Sequence, residues 1–103
     1  TMCTIISLLT IIPYSLIAFL GNYRKHGRTG YKGRGHDGWL YYRNGPHHFG
    51  HMIGLHRDNK ALIFNAHTGS QCPYRVTREM SPWKIVVRQD WETDITLVVR
   101  CIN

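Results

Sequence analysis

The chain has 103 residues, a net charge of +7 and seven further histidines. That length fits one domain with a shallow core, excludes a multidomain protein, and the charge calls for an anionic partner. Cys3, Cys72 and Cys101 are an odd count with no CxxC spacing, which argues against a disulfide framework and for a reduced, intracellular setting.

Residues 1–21 (TMCTIISLLTIIPYSLIAFLG) carry no charge. The run from Met2 to Leu20 reads as an apolar helix, with Pro13 as a kink. We read it as a core helix. The alternatives are a membrane helix over residues 2–20, with the basic side facing the cytoplasm, and a signal peptide. No basic residue precedes the run, and Thr4, Ser7, Thr10 and Ser15 are many hydroxyls for a span. Cys3 falls at the start of this helix, where the dipole favours a thiolate. The plain alternative is a small apolar residue near a terminus.

Residues 22–38 form a basic, glycine-rich linker. Residues 22–48 hold six Lys/Arg against one acid, and residues 49–103 hold seven against five, so the positive excess is a segment. Gly27, Gly30, Gly33, Gly35 and Gly38 leave no room for a helix or continuous strand, which predicts a mobile loop. Arg24, Lys25, Arg28, Lys32 and Arg34, interleaved with Tyr23 and Tyr31, suit phosphate contact with base stacking. The same strip suits anionic lipid headgroups, or is a solvated linker.

An antiparallel sheet is expected over residues 39–103. Trp39 to Tyr42 reads as a strand, and Asn44-Gly45-Pro46 as a turn. The central feature is a hairpin over residues 46–69. Its strands, Phe49 to Leu55 and Ala61 to Phe64, flank a polar turn at Asp58-Asn59. Paired numbers then sum to about 117, placing His51 opposite Ala66, between Asn65 and His67. Tyr74 to Thr77, Trp83 to Val87 and Ile95 to Ile102 are further strands. Trp83 and Trp91 are expected to cap the sheet.

His47, His48, His51, His56 and His67 invite a metal reading. However, His47 and His48 point to opposite strand faces, as do His48 and His51, and no second cluster has ligand spacing. No metal and no cofactor is expected. The acid–base reading is stronger: His48 or His51 deprotonates Cys3, Asn65 or His67 orients the imidazole, and the thiolate attacks an acyl carbon. Solvated histidines on a surface hairpin are the plain alternative.

The stretch HHFGHMIG, with DGWLYYRNGP before it, resembles the H-box of the lecithin retinol acyltransferase and phospholipid acyltransferase families and of H-box picornavirus 2A proteins. All are kin of the NlpC/P60 papain-like hydrolases. The resemblance covers Asp37 to Gly69. It makes His48 the box histidine and puts the second polar position on Asn65 or His67. It implies an α+β papain-like domain with a cysteine hydrolase or acyltransferase site, active or degenerate, as in a viral non-structural protein. In those families an Asn-Cys pair follows the box and opens a helix. Here Gln71 precedes Cys72, Cys101 is two residues from the end, and Cys3 comes first, behind Met2.

The expected architecture is therefore α+β: one N-terminal helix packed on an antiparallel sheet of about five or six strands. The alternative is a small barrel-like sheet with a loose apolar N-terminal segment. For function, the alternative to the thiol enzyme is a non-enzymatic basic module that binds RNA or anionic membrane.

Overall fold

Strands make up most of the described residues, including part of the segment that reads as a helix. The computed structural model describes residues 2–8, 14–27, 30–46, 49–55, 60–68, 70, 72–73, 82–94 and 96–102. Strand β1 is Met2–Ile6, with Cys3 and Ile5 buried and their neighbours more exposed. Helix α1, Tyr14–Ile17, is a single turn that buries Leu16. The expectation of an α+β fold with an N-terminal helix is thus overturned. The physical reason lies in the run Thr4-Ile5-Ile6: branched Cβ atoms favour the pleated backbone, and an unbroken apolar stretch has no period that separates helix from strand.

The other strands are β2 Gly21–His26, β3 Gly30–Gly33, β4 Trp39–Asn44, β5 Phe49–Leu55, β6 Lys60–Asn65, β7 Trp83–Val87, β8 Asp90–Asp94 and β9 Val98–Ile102. All nine join one antiparallel sheet in the order β8-β7-β6-β5-β4-β3-β2-β1-β9. Five or six strands were expected. The additional ones include β1, β2 and β3, so the basic segment is not a mobile linker. Its glycines turn the chain at Gly27 (φ 73°) and stand at the ends of β3, leaving room for short strands between.

Laid flat, nine strands would span about 40 Å, but the longest dimension is 32 Å. The sheet curls into a half-barrel, and its two edge strands, β8 and β9, are consecutive in sequence. Asp94 fastens the seam. Its carboxylate accepts from Ser7 Oγ at 2.5 Å, Thr96 N at 2.9 Å and Thr96 Oγ1 at 2.6 Å. Leu8 N donates to Thr96 Oγ1 at 2.9 Å. This architecture is nearer to the barrel-like alternative, except that the apolar segment supplies a paired strand instead of lying loose.

The concave side holds the core, including Tyr23, Leu40, Ile53, Ile63, Ile85 and Val99. Each fully buried aliphatic side chain contributes about 1.5–3 kcal/mol. Within that core Cys3 is joined to Cys101, its direct partner across β1 and β9. The expectation of no disulfide is corrected here: an odd count concealed one pair and the free Cys72. Trp83 is buried, whereas Trp91 is 47% exposed and meets the Phe64 ring at a centre-to-centre distance of 5.8 Å. The candidate strand at Tyr74 to Thr77 and the turn residues 56–59 lie outside the described residues.

Candidate functional site

The residues singled out by the sequence fall into two places. The first is a polar rung on the concave face. Tyr42 on β4 is level with His51 on β5, and His51 with Asn65 on β6. The numbers sum to 116, so His51 meets Asn65 and not Ala66. A bulge at Ile53/Gly54 shifts the rest of the register. Trp83 on β7, whose ring centre lies 6.2 Å from that of His51, pairs with Asp94 on β8. His51, Asn65 and Asp94 are all at or below 1% exposure. Gly50 makes the close approach of β5 and β6 feasible. Its φ is 99°, and a Cβ there would collide with the Asn65 carbonyl.

The rung's polar groups are engaged with backbone. His51 Nε2 lies 2.8 Å from the Ser70 carbonyl. A carbonyl only accepts, so Nε2 carries the proton. Burial drives the His51 pKa down to about 4; the Ser70 carbonyl opposes the fall, and nearby His67 adds to it. His51 is therefore neutral at pH 7, far from the value that suits a general base near neutrality. Asn65 does not orient that imidazole through its Oδ1, which accepts the His67 amide at 2.9 Å in a local turn. His67 Nε2 is buried and makes no hydrogen bond among the described residues.

Cys3 does not join this rung. It sits on β1, separated from β5 by three strands in the sheet order, and not at a helix start. Its sulfur is bonded to Cys101, so it offers no thiolate. The assignment of Cys3 as nucleophile is corrected on both counts. Cys72, the free cysteine, donates its amide to Ser70 Oγ at 3.1 Å. His48, the box histidine, lies outside the described residues, as does Arg28. Among the described residues no group of three or more His, Cys, Asp and Glu side chains could hold a metal ion.

The second place is an open groove along the β2–β3 hairpin, with Arg24, His26 and Lys32 on its convex side and Lys25, level with Tyr31, on the other. Arg24, Lys25, His26, Lys32, Gly33 and Arg34 line one open groove of about 210 Å3. Arg24 is directly opposite Lys32 across the pair. Like charges so placed repel each other, and the strand pairing gains nothing from them. Lys32 Nζ lies 5.3 Å from the Trp39 ring centre and donates to the His36 carbonyl at 3.1 Å. Lys25 Nζ lies 4.7 Å from the Tyr31 ring centre. Such stacking props long side chains in extended positions.

The tyrosines of this segment are not stacking platforms, contrary to expectation. Tyr23 is fully buried and Tyr31 is 6% exposed; both belong to the core. Burial pushes the Tyr23 phenol pKa up, and its hydroxyl donates to the Phe19 carbonyl at 2.7 Å. Strand alternation explains the sorting, since it sends Tyr23 inward and Arg24 outward. Asp94, Ser7, Ser70, His26 and His36 were not foreseen. Ser7 and Asp94 are 87 residues apart, and no local pattern announces such a contact.

No helix among the described residues is long and apolar enough to cross a membrane. No protein-family model, no curated protein and no solved structure matches the chain, so the groove and the rung are interpreted on their own chemistry.

Proposed function

We propose that the protein is a non-enzymatic module that binds the phosphate backbone of single-stranded nucleic acid, RNA in the first instance, through the β2–β3 hairpin. One observation carries the reading: Arg24, Lys25, Lys32 and Arg34 line a single groove with no acid among the described residues of its lining, and Arg24 and Lys32 are set directly against each other. A bound phosphate relieves that repulsion and releases counterions. The buried tyrosines favour sequence-independent phosphate contact over base readout. A lipid surface is the weaker match, because charge alone anchors poorly without an inserting apolar group. None of the exposed large apolar side chains among the described residues belongs to β2 or β3.

The acyl-transfer reading is weakened by the loss of Cys3 to a disulfide and by the low basicity of His51. The disulfide also favours an oxidising compartment over the reduced one expected from the cysteine count.

Fluorescence anisotropy with a labelled oligouridine tests the proposal. Four phosphate contacts give a log–log salt slope of about −3. Replacing Arg24, Lys25, Lys32 and Arg34 with Gln is expected to flatten that slope and lower affinity more than tenfold. A slope unchanged in the quadruple variant, or binding to anionic vesicles but not to oligouridine, overturns it.

A further inference from the structure

The ring of His36 closes the loop that leads out of β3, on the core side of the hairpin, while its backbone carbonyl holds a lysine of the basic groove. The loop runs from Arg34 to Gly38, between β3 and β4. His36 Nδ1 accepts the Gly38 amide at 3.0 Å, while the Gly38 carbonyl accepts from Gly33 N at 2.8 Å and the Asn22 carbonyl from Arg34 N at 3.0 Å. The ring is seated in a cradle. A Cβ at Gly33 or at Gly38 would collide with it, and the rings of Tyr23 and Phe19 meet it edge-on at 4.9 and 6.4 Å. The same residue's carbonyl holds Lys32 Nζ.

This arrangement demands a neutral imidazole. Because Nδ1 accepts, the proton resides on Nε2, which is buried and makes no hydrogen bond among the described residues. A second proton would go to Nδ1 and face the Gly38 N–H, donor against donor. We propose that His36 is an acid-sensitive latch: protonation lifts its ring from the glycine cradle, opens the loop and frees Lys32 for the groove, so anion binding tightens as pH falls.

The groups facing the ring agree with this. Lys32, on β3, repels a second positive charge. Asp37 in the loop and the Asn22 carbonyl on β2 attract it more weakly. Tyr23, also on β2, stays a neutral phenol, and Phe19 is apolar. Burial and Lys32 together hold the His36 pKa below the usual histidine value. The closed loop therefore prevails at neutral pH and yields in mild acid. A phosphate in the groove favours the charged form and pulls the same way.

The proposal rests on the anion-binding reading of the hairpin, and two measurements separate them. The first needs no ligand: NMR follows the His36 ring and the Gly38 amide from pH 7.5 to 5. Gly38 is expected to lose protection from exchange as His36 titrates. A Gly38 amide that stays protected through that titration overturns the latch. The second is oligouridine anisotropy over the same range at fixed ionic strength. His36→Asn keeps an acceptor for Gly38 and does not titrate. It is expected to lose an acid-driven gain of about two- to fivefold, the worth of one exposed ion pair. His26→Asn removes the histidine that lines the groove and is expected to keep that gain. Retention of the full gain in His36→Asn also overturns the latch. If Gly38 opens in acid but no oligonucleotide binds at any pH, the anion site is overturned while the loop mechanism stands.

Discussion

The concave rung and the basic hairpin make opposite use of similar residues. In the rung, His51, Asn65 and Asp94 are sunk below 2% exposure, and bonds to backbone or seam groups engage each of them. On the hairpin, Arg24 and Lys32 face each other across two strands and no acid among the described residues lines their groove. A buried polar group with partners stabilises the fold because leaving it unpaired costs about 1–3 kcal/mol. Like charges set against each other at a surface add nothing to the strand pairing and raise the local positive potential. Histidine content alone therefore did not locate the site; pairing did.

If that division is right, damage on the concave side changes stability and leaves anion affinity alone. The largest effect is expected from Cys3→Ser with Cys101→Ser. The disulfide closes a sequence separation of 98 residues, and a loop of that size constrains the unfolded chain by up to about 4.7 kcal/mol, with 2–4 typical. Urea unfolding of the double variant is expected to show a loss of that order. Its oligouridine affinity at neutral pH should match that of the parent under conditions where both are folded. A large loss of affinity in the folded variant would break the separation between core and groove.

The next effect is smaller and depends on pH. His51 titrates near 4 when folded and near 6.5 when unfolded. Between those values the unfolded chain binds the extra proton, so stability falls as pH drops from about 6.5 to 4 and is fully present above that window. The expected loss is about 3 kcal/mol at pH 4. His51→Gln keeps a side-chain N–H donor for the Ser70 carbonyl and does not titrate. Its stability, followed by thermal unfolding, should lose that part of the acid slope. An unchanged slope would mean that His51 is not held neutral by burial.

These tests also show where sequence reasoning reached and where it stopped. The strand at Trp83 to Val87 could be read because its alternation is local. The cations of the groove could be named because charge is legible whatever the backbone does. The segment Met2 to Ile6 could not, since a uniformly apolar run hides its period until a partner strand selects a face. Nor could the fate of Cys3. Its partner lies at the other end of the chain, and a thiol assigned to a helix start is chemically a different group from half of a buried disulfide. The burial of His51 was not legible either, because it is set by strands far away in sequence.

The smallest expected effect lies at the β7–β8 turn, away from both regions. Val87 pairs with Asp90, leaving Arg88 and Gln89 as the two central residues of a tight hairpin. Both have positive φ, 51° and 71°. That is the primed turn whose twist suits a two-residue hairpin, and Asn-Gly is its preferred sequence. Arg and Gln pay a steric cost there because their Cβ atoms crowd the backbone. Arg88→Asn with Gln89→Gly is therefore expected to stabilise the fold by about 0.5–1.5 kcal/mol, the Asn tolerating the first position and Gly relieving the second. The gain should appear as a higher urea midpoint with unchanged slope. Oligouridine affinity should shift only slightly, since removing Arg88 takes away one exposed cation outside the groove. A drop in stability would show that the turn does not adopt this conformation. A drop in affinity as large as that of the groove variants would move the anion site off the β2–β3 hairpin.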